Sequence, residues 1–156
     1  MNILFLNPPT IPYNILVSSL GNPKTHFSQT VAMPMGILYL GAVIQKSFPD
    51  ANVEVVDSAR TLRERNNLND REALSVKDFC HDALRKSLAE SYQPTIIGLS
   101  VMFSTAHSTC MDLALVCKEI WPKTPIIIGG MHATSAVDSI LENKAVDYVC
   151  KGEAES

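Results

Sequence analysis

The sequence predicts an α/β domain built on a doubly wound, five-stranded parallel sheet of order 2-1-3-4-5. Three observations carry that expectation. Short β-rich runs alternate with helical patterns along all 156 residues. The first run is apolar at successive positions, as a strand covered on both faces must be. No internal repeat or low-complexity tract interrupts the alternation. A hydrophobic fraction of 46% against 19% charged residues supports one folded core and argues against disorder.

Strand 1 is predicted over residues 2–6. A long segment without a clear period follows, from Asn7 to about Met33, punctuated by Pro8, Pro9, Pro12, Gly21, Asn22 and Pro23. A connection of that length in a compact domain is usually functional. Helix 1 is predicted over residues 34–48. Pro34 suits its first turn, and Ile37, Leu38, Leu40, Gly41, Val43 and Ile44 form its inner face. Strand 2 covers 53–57, and the charged stretch 58–70 reads as loop. Helix 2 covers roughly 71–91, with Leu74, Val76, Phe79, Ala83, Leu84 and Leu88 at helical spacing. Strand 3 covers 95–100. Helix 3 covers about 106–121 and stops before Pro122. Strand 4 covers 125–128 and runs into Gly129-Gly130. Helix 4 covers about 135–143, and strand 5 covers 147–150.

Parallel neighbours need crossover connections, which are almost always right-handed. The flavodoxin-like order 2-1-3-4-5 follows, and in such sheets ligands sit beyond the carboxyl ends of the strands, at the switch point. Here that point lies between strands 1 and 3. The tail after strand 5 brings no closing helix, so the expected unit is a single domain over residues 1–156, continued by a further domain.

Charge and motifs exclude several classes. A net charge of −3 gives no electrostatic footprint for nucleic acid. No Lys/Arg cluster beside an apolar helix points to a membrane. The N-terminus lacks a basic region and a long apolar run, so a cytoplasmic location is expected. Cys80, Cys110, Cys117 and Cys150 are widely spaced, with neither C-x-x-C nor zinc spacing. Cys110 and Cys117 share one helical face and read as small buried residues. The turn after strand 1, Asn7-Pro8-Pro9, offers neither the glycines nor the free N–H groups of a dinucleotide site. A phospho-receiver domain needs carboxylates where Asn7 and Ser100 stand.

What remains lies at the strand ends. Strand 3 ends in Gly98-Leu99-Ser100-Val101-Met102, strand 4 in Gly129-Gly130-Met131-His132-Ala133-Thr134, and strand 5 in Cys150-Lys151-Gly152-Glu153-Ala154-Glu155. Paired glycines permit close approach of a ligand to the backbone. A serine hydroxyl at the neighbouring strand end supplies one directed hydrogen bond. The expectation is a narrow slot between strands 3 and 4 with a polar group at one wall.

With Asn7-Pro8-Pro9, Pro34-Met35-Gly36-Ile37-Leu38-Tyr39-Leu40 and Val55-Val56-Asp57, these pieces resemble the cobalamin-binding domain that precedes the catalytic barrel of cobalamin-dependent radical SAM enzymes. They span essentially the whole chain in the order of that family. Its last motif usually reads G-E-G-E, from which Ala154 departs. The resemblance implies cofactor-binding roles for Asn7, Pro8, Ser100, Met102, Phe103, Gly129, Gly130, His132, Gly152 and Glu153. The glycines would admit the nucleotide tail of cobalamin, and Ser100 would hydrogen-bond near its end. Met102 and Phe103 would lie under the corrin ring, while Gly152 and Glu153 would meet its edge or the tail. Other cobalamin proteins carry D-x-H-x-x-G after strand 1. Here the segment is Pro9-Thr10-Ile11-Pro12-Tyr13-Asn14, so the implied state is base-off cobalamin with no protein histidine under cobalt. The iron–sulfur cluster and S-adenosylmethionine would belong to a following catalytic domain, because no C-x-x-x-C-x-x-C occurs here.

The same residues admit plainer readings. Gly129-Gly130 also fits a tight turn, and Ser100 a local cap. His132 fits a local hydrogen bond at the start of helix 4, and His107 an exposed position in helix 3. Met33, Met35, Met102 and Met131 fit core filling. The alternative function is a flavodoxin-like module that binds FMN or no cofactor and serves as an interaction domain. A third reading keeps the fold without the cofactor.

Overall fold

The computed structural model describes residues 1–10, 12, 13, 15, 33–58, 60, 61 and 75–154. The expected turn residues Gly21, Asn22 and Pro23, most of the charged loop 58–70, the start of helix 2 with Leu74, and Glu155 lie outside the described residues.

Five strands form one parallel sheet: β1 (Asn2–Asn7), β2 (Asn52–Asp57), β3 (Ile96–Ser100), β4 (Ile126–Gly129) and β5 (Tyr148–Val149). Their order is β2-β1-β3-β4-β5, as the sequence predicts. The helices whose bounds fall among the described residues are α1 (Met35–Ser47), α2 (Val76–Ser87), α3 (His107–Ile120), α4 (Met131–Ser135) and α5 (Val137–Leu141), with a 3-10 turn at Ser104–Ala106 before α3; Tyr13, Ile15, Ser58, Arg60 and Thr61 are also helical. Among the described residues, no helix is long and apolar enough to cross a membrane.

Alternation along β1 divides the interior. Leu4 and Leu6 point into the larger core, with Ile97, Leu99, Ile126 and Ile128 from the sheet, Phe79 and Leu84 from α2, Leu113 and Cys117 from α3, and Ile140 from α5. Ile3 and Phe5 point to the other face, into a smaller core completed by Ile37 of α1 and Ala51. Cys110 and Cys117 are fully buried, as expected, and burial pushes the Cys110 thiol up to about 12, so it is not a nucleophile.

Four expectations need correction. Helix 2 begins only after Ser75, whose side chain accepts the Asp78 N–H at 3.1 Å, a cap that fixes the first turn. It ends at Ser87 because Leu88 is extended, well before residue 91. Helix 4 is two short helices, not one over 135–143; the first begins directly at Met131, and the break falls at Ala136 (φ −124°, ψ 34°). Leu38 is exposed, because the buried stripe of α1 runs through Ile37 and Gly41. Core filling is overturned for Met33, Met35, Met102 and Met131, each more than half exposed. Strand ends differ from expectation by a residue or two, which is the ordinary uncertainty of a boundary.

The amino end of the sheet is closely tied. Asp147 Oδ2 accepts from Lys118 Nζ at 2.8 Å and from the Ile126 N–H at 2.7 Å. The Trp121 indole N–H donates to the Tyr92 carbonyl at 3.3 Å, and the Tyr92 hydroxyl to the Ile3 carbonyl at 3.2 Å. These bonds leave the carboxyl end as the end free to vary.

Candidate functional site at the carboxyl edge of the sheet

Parallel pairing places partners on the same face of a sheet. The register Phe5↔Gly98, Ser100↔Gly129, Gly98↔Ile127 and Ile127↔Tyr148 therefore puts these side chains on the face that carries α1. α1 covers only the β1 and β2 side of it. Among the described residues, the smaller core draws none from β4 or β5 and no helix besides α1. Ile127 and Gly129 are only half-buried, and Tyr148 is 59% exposed. The result is an open trough over β3, β4 and β5. Its floor is low at Ser100 and Gly129, which carry little or no side chain, whereas the Phe5 ring occupies the space over Gly98.

The phenyl ring of Phe5 lies across Gly98, where an added Cβ would stand 2.7 Å from it. At Gly129 an added Cβ would meet Cys150 Cβ at 3.5 Å, ordinary packing. Ser100 is half-buried, and its hydroxyl has no hydrogen-bond partner among the described residues. It therefore does not act as the local cap that a strand-end serine often is.

Gly130 differs from Gly129. Its φ is +108°, and a Cβ there would stand 2.6 Å from the Val101 carbonyl oxygen. The Val101 N–H donates to the Gly129 carbonyl at 2.8 Å, and the His132 N–H to the Val101 carbonyl at 3.2 Å. The loops after β3 and β4 are thus joined beyond the last sheet pair. The expectation that both glycines open a slot is corrected at Gly130: the space its missing side chain leaves is filled by Val101 backbone.

Along the rim, Met102 (51%), Phe103 (56%) and Met131 (68%) expose large apolar groups at the ends of β3 and β4. Apolar surface of this kind marks a ligand or partner site when it gathers at one place. Asn7 donates from Nδ2 to Asp57 Oδ1 at 3.2 Å, and Pro8 is buried, so both shape the β1 end from below. The Thr105 hydroxyl donates to the Thr10 carbonyl, tying the loops on either side of the switch point. Gly152 (φ +83°) and Glu153 are exposed beyond β5, and the Gly152 N–H donates to Thr134 Oγ1 at 3.0 Å.

His107 and His132 meet, with Nδ1 of one 2.9 Å from Nε2 of the other and the rings edge to face. His132 does bond a side chain near the start of its helix, but the partner is 25 residues away. Burial first, and the neighbouring His132 second, lower the pKa of His107 from its usual value. The structure corrects the expectation that His107 is simply exposed.

Sequence reasoning did not assign Phe5, Ile127, Tyr148 or His107 to this end of the molecule. The period-2 pattern of strands 3 and 4, with small residues on one face, was the available signal for the trough. No group of three potential metal ligands occurs among the described residues, so a bare metal ion has no cage here. The arrangement suits a large ligand with an apolar plate and a polar arm. A family described as B12 binding domain matches residues 28–156. Comparison with curated proteins and with solved structures finds no match.

Proposed function

The chain belongs to the B12-binding domain family, and from that premise we propose that it is the cobalamin-holding part of an enzyme that pairs cobalamin with S-adenosylmethionine and an iron–sulfur cluster. Both of those groups would be held by a domain that follows this one in the same polypeptide, as the resemblance to cobalamin-dependent radical SAM enzymes implies. The cytoplasm is its proposed setting, in keeping with four free cysteines.

The observation that carries the reading is the trough floored by Ser100 and Gly129 and rimmed by exposed Met102, Phe103 and Met131. An apolar macrocycle fits the rim, and a polar arm fits the floor. Ser100 offers a free hydroxyl to that arm, and Gly129 leaves space beside it. Met102, Phe103 and Met131 would shield the ring from water. Asn7, Pro8, His132, Gly152 and Glu153 frame the same edge, with Gly130 holding the two central loops together. Bound cobalamin supplies a cobalt centre able to carry a methyl group or pass electrons.

The form proposed is base-off, with no protein histidine beneath cobalt. The described residues of the β1 to α1 segment contain no histidine, and His132 is already paired with His107. His26 lies in that segment, outside the described residues. Without a lower nitrogen donor, cobalt loses electron density from below and is more easily reduced.

Titration of the purified chain with hydroxocobalamin, read by absorbance, tests the proposal. Retention is expected at or below tens of micromolar, roughly −6 to −7 kcal/mol of binding. The spectrum should lack the signature of histidine coordination, both in the native chain and in His26→Ala. Absence of retention at that concentration would remove cobalamin from the account. A histidine-on spectrum abolished by His26→Ala would overturn the base-off, histidine-free form alone.

A further inference from the structure

The pairing of His107 with His132 is not explained by ring packing alone. The two residues stand at the first turns of α3 and α4, immediately after the loops that leave β3 and β4. Those loops carry Met102, Phe103 and Met131, the apolar rim. They are held together by three ties: Val101 N–H to Gly129 carbonyl, His132 N–H to Val101 carbonyl, and the imidazole pair. The first two are backbone bonds, which Gly130 permits by its positive φ. Only the third depends on side chains.

A bond between two imidazole nitrogens 2.9 Å apart holds one proton between them. One ring donates and the other accepts, so the facing nitrogen of the acceptor must be bare. When both rings are fully protonated, no bare nitrogen is left to accept, the bond is lost and two positive rings stand in contact.

We propose that His107 is a positioning residue for cobalamin: its bond to His132 latches the loop after β4 to the loop after β3, sets the rim that receives the corrin ring, and releases when both rings are protonated. The inference rests on the cobalamin reading above.

The surroundings agree with such a latch. Burial and the charge of His132 both disfavour protonated His107, which keeps the pair closed near neutral pH. The other titratable groups on the described elements nearby are Cys110, Asp112, Cys117, Lys118 and Glu119 on α3, Asp138 on α5, and Cys150, Lys151 and Glu153 after β5. After burial, the neighbouring charge that lowers the pKa of His107 is that of His132. The sign follows. A base whose pKa is lowered by folding is fully tolerated above its unfolded value, near 6.5, and opposes the closed state as pH falls below it.

The test compares hydroxocobalamin binding by the native chain, His107→Asn and His107→Phe at pH 8, 7, 6 and 5, with thermal melts confirming that each is folded. Asparagine places an amide near the position of Nδ1 and keeps a hydrogen bond without a titrating charge. The native chain should lose about tenfold in affinity between pH 7 and pH 5, the equivalent of one modest hydrogen bond. His107→Asn should bind with little dependence on pH, and His107→Phe should bind weakly throughout. The imidazole nitrogens, followed by NMR in the cobalamin-free chain, should titrate as one coupled pair. A flat native profile, or His107→Asn retaining the native slope, overturns the latch while leaving cobalamin binding in place. Independent titration of the two rings overturns it as well. Failure of every form to bind at every pH overturns the cobalamin reading itself, and the positioning role with it.

Discussion

On the face beneath α2 and α3, Leu4, Leu6, Ile97, Leu99, Ile126 and Ile128 are fully or almost fully buried. On the opposite face, the residues interleaved with them on β3 to β5, Ile96, Gly98, Ser100, Ile127, Gly129 and Tyr148, all retain solvent exposure. The same strands therefore serve two purposes, alternating one residue at a time. The inward residues hold the sheet to its helices. Those pointing the other way are only partly covered by the described residues beyond the smaller core.

Truncation across that divide tests it most severely. Leu99→Ala should cost about 3 kcal/mol or more, because a fully packed site cannot close over the cavity. Ile127→Ala, on the neighbouring strand but on the open face, should cost clearly less, about 2 kcal/mol or below, since part of its side chain already meets water and no closed cavity is left. Denaturant unfolding of both variants decides the matter, and equal losses would mean that the open face is sealed in solution.

The two glycines give a sharper contrast. Gly130→Ala should destabilise by about 2 kcal/mol or more, from a positive φ and a Cβ driven into Val101 backbone. Gly129→Ala should be tolerated at about 1 kcal/mol or less, with ordinary packing against Cys150. Gly129→Val should then fold but retain hydroxocobalamin about tenfold less well, as one lost polar contact or blocked arm would do. Unaltered retention in Gly129→Val would take the glycine out of the site.

The smallest effect belongs to the amino end of the sheet, away from the trough. Partial burial pulls the Asp147 carboxyl upward, but the bonds from Lys118 and the Ile126 N–H outweigh it and hold the group below its usual range. A carboxylate depressed in this way stabilises the fold above its unfolded pKa, near 3.9, and loses that contribution as pH falls through the lower folded value. Asp147→Asn should cost about 1 kcal/mol at pH 7, with the difference from the native chain vanishing in acid. Cobalamin retention at pH 7 should not change. A loss of retention would show that the two ends of the sheet are not independent.

How much of this was legible in the sequence follows from the range of the signals. Strand 1 announced its place by being apolar at four successive positions, Ile3 to Leu6, and Pro, Gly and Ser marked the turns, so the strand order was within reach. The boundaries of helix 2 turned on a single cap at Ser75, and the division of helix 4 on the dihedrals of Ala136, neither of which a hydrophobic period reports. At the site, Ser100, Gly129 and the exposed Met102 and Phe103 could be named from their positions at strand ends. The role of Gly130 could not, since it depends on backbone 29 residues earlier at Val101. The trough needed the register of β3 on β4, and the histidine pair needed two helix starts brought side by side by that register.

One small chain of bonds carries a consequence of its own. The Gly152 N–H donates to Thr134 Oγ1, and the Thr134 hydroxyl in turn donates to the Gly130 carbonyl at 3.3 Å. A single threonine thus couples the polypeptide leaving the last strand to the turn that braces the rim. A displacement of that exit would reach the Gly130 turn through only two bonds.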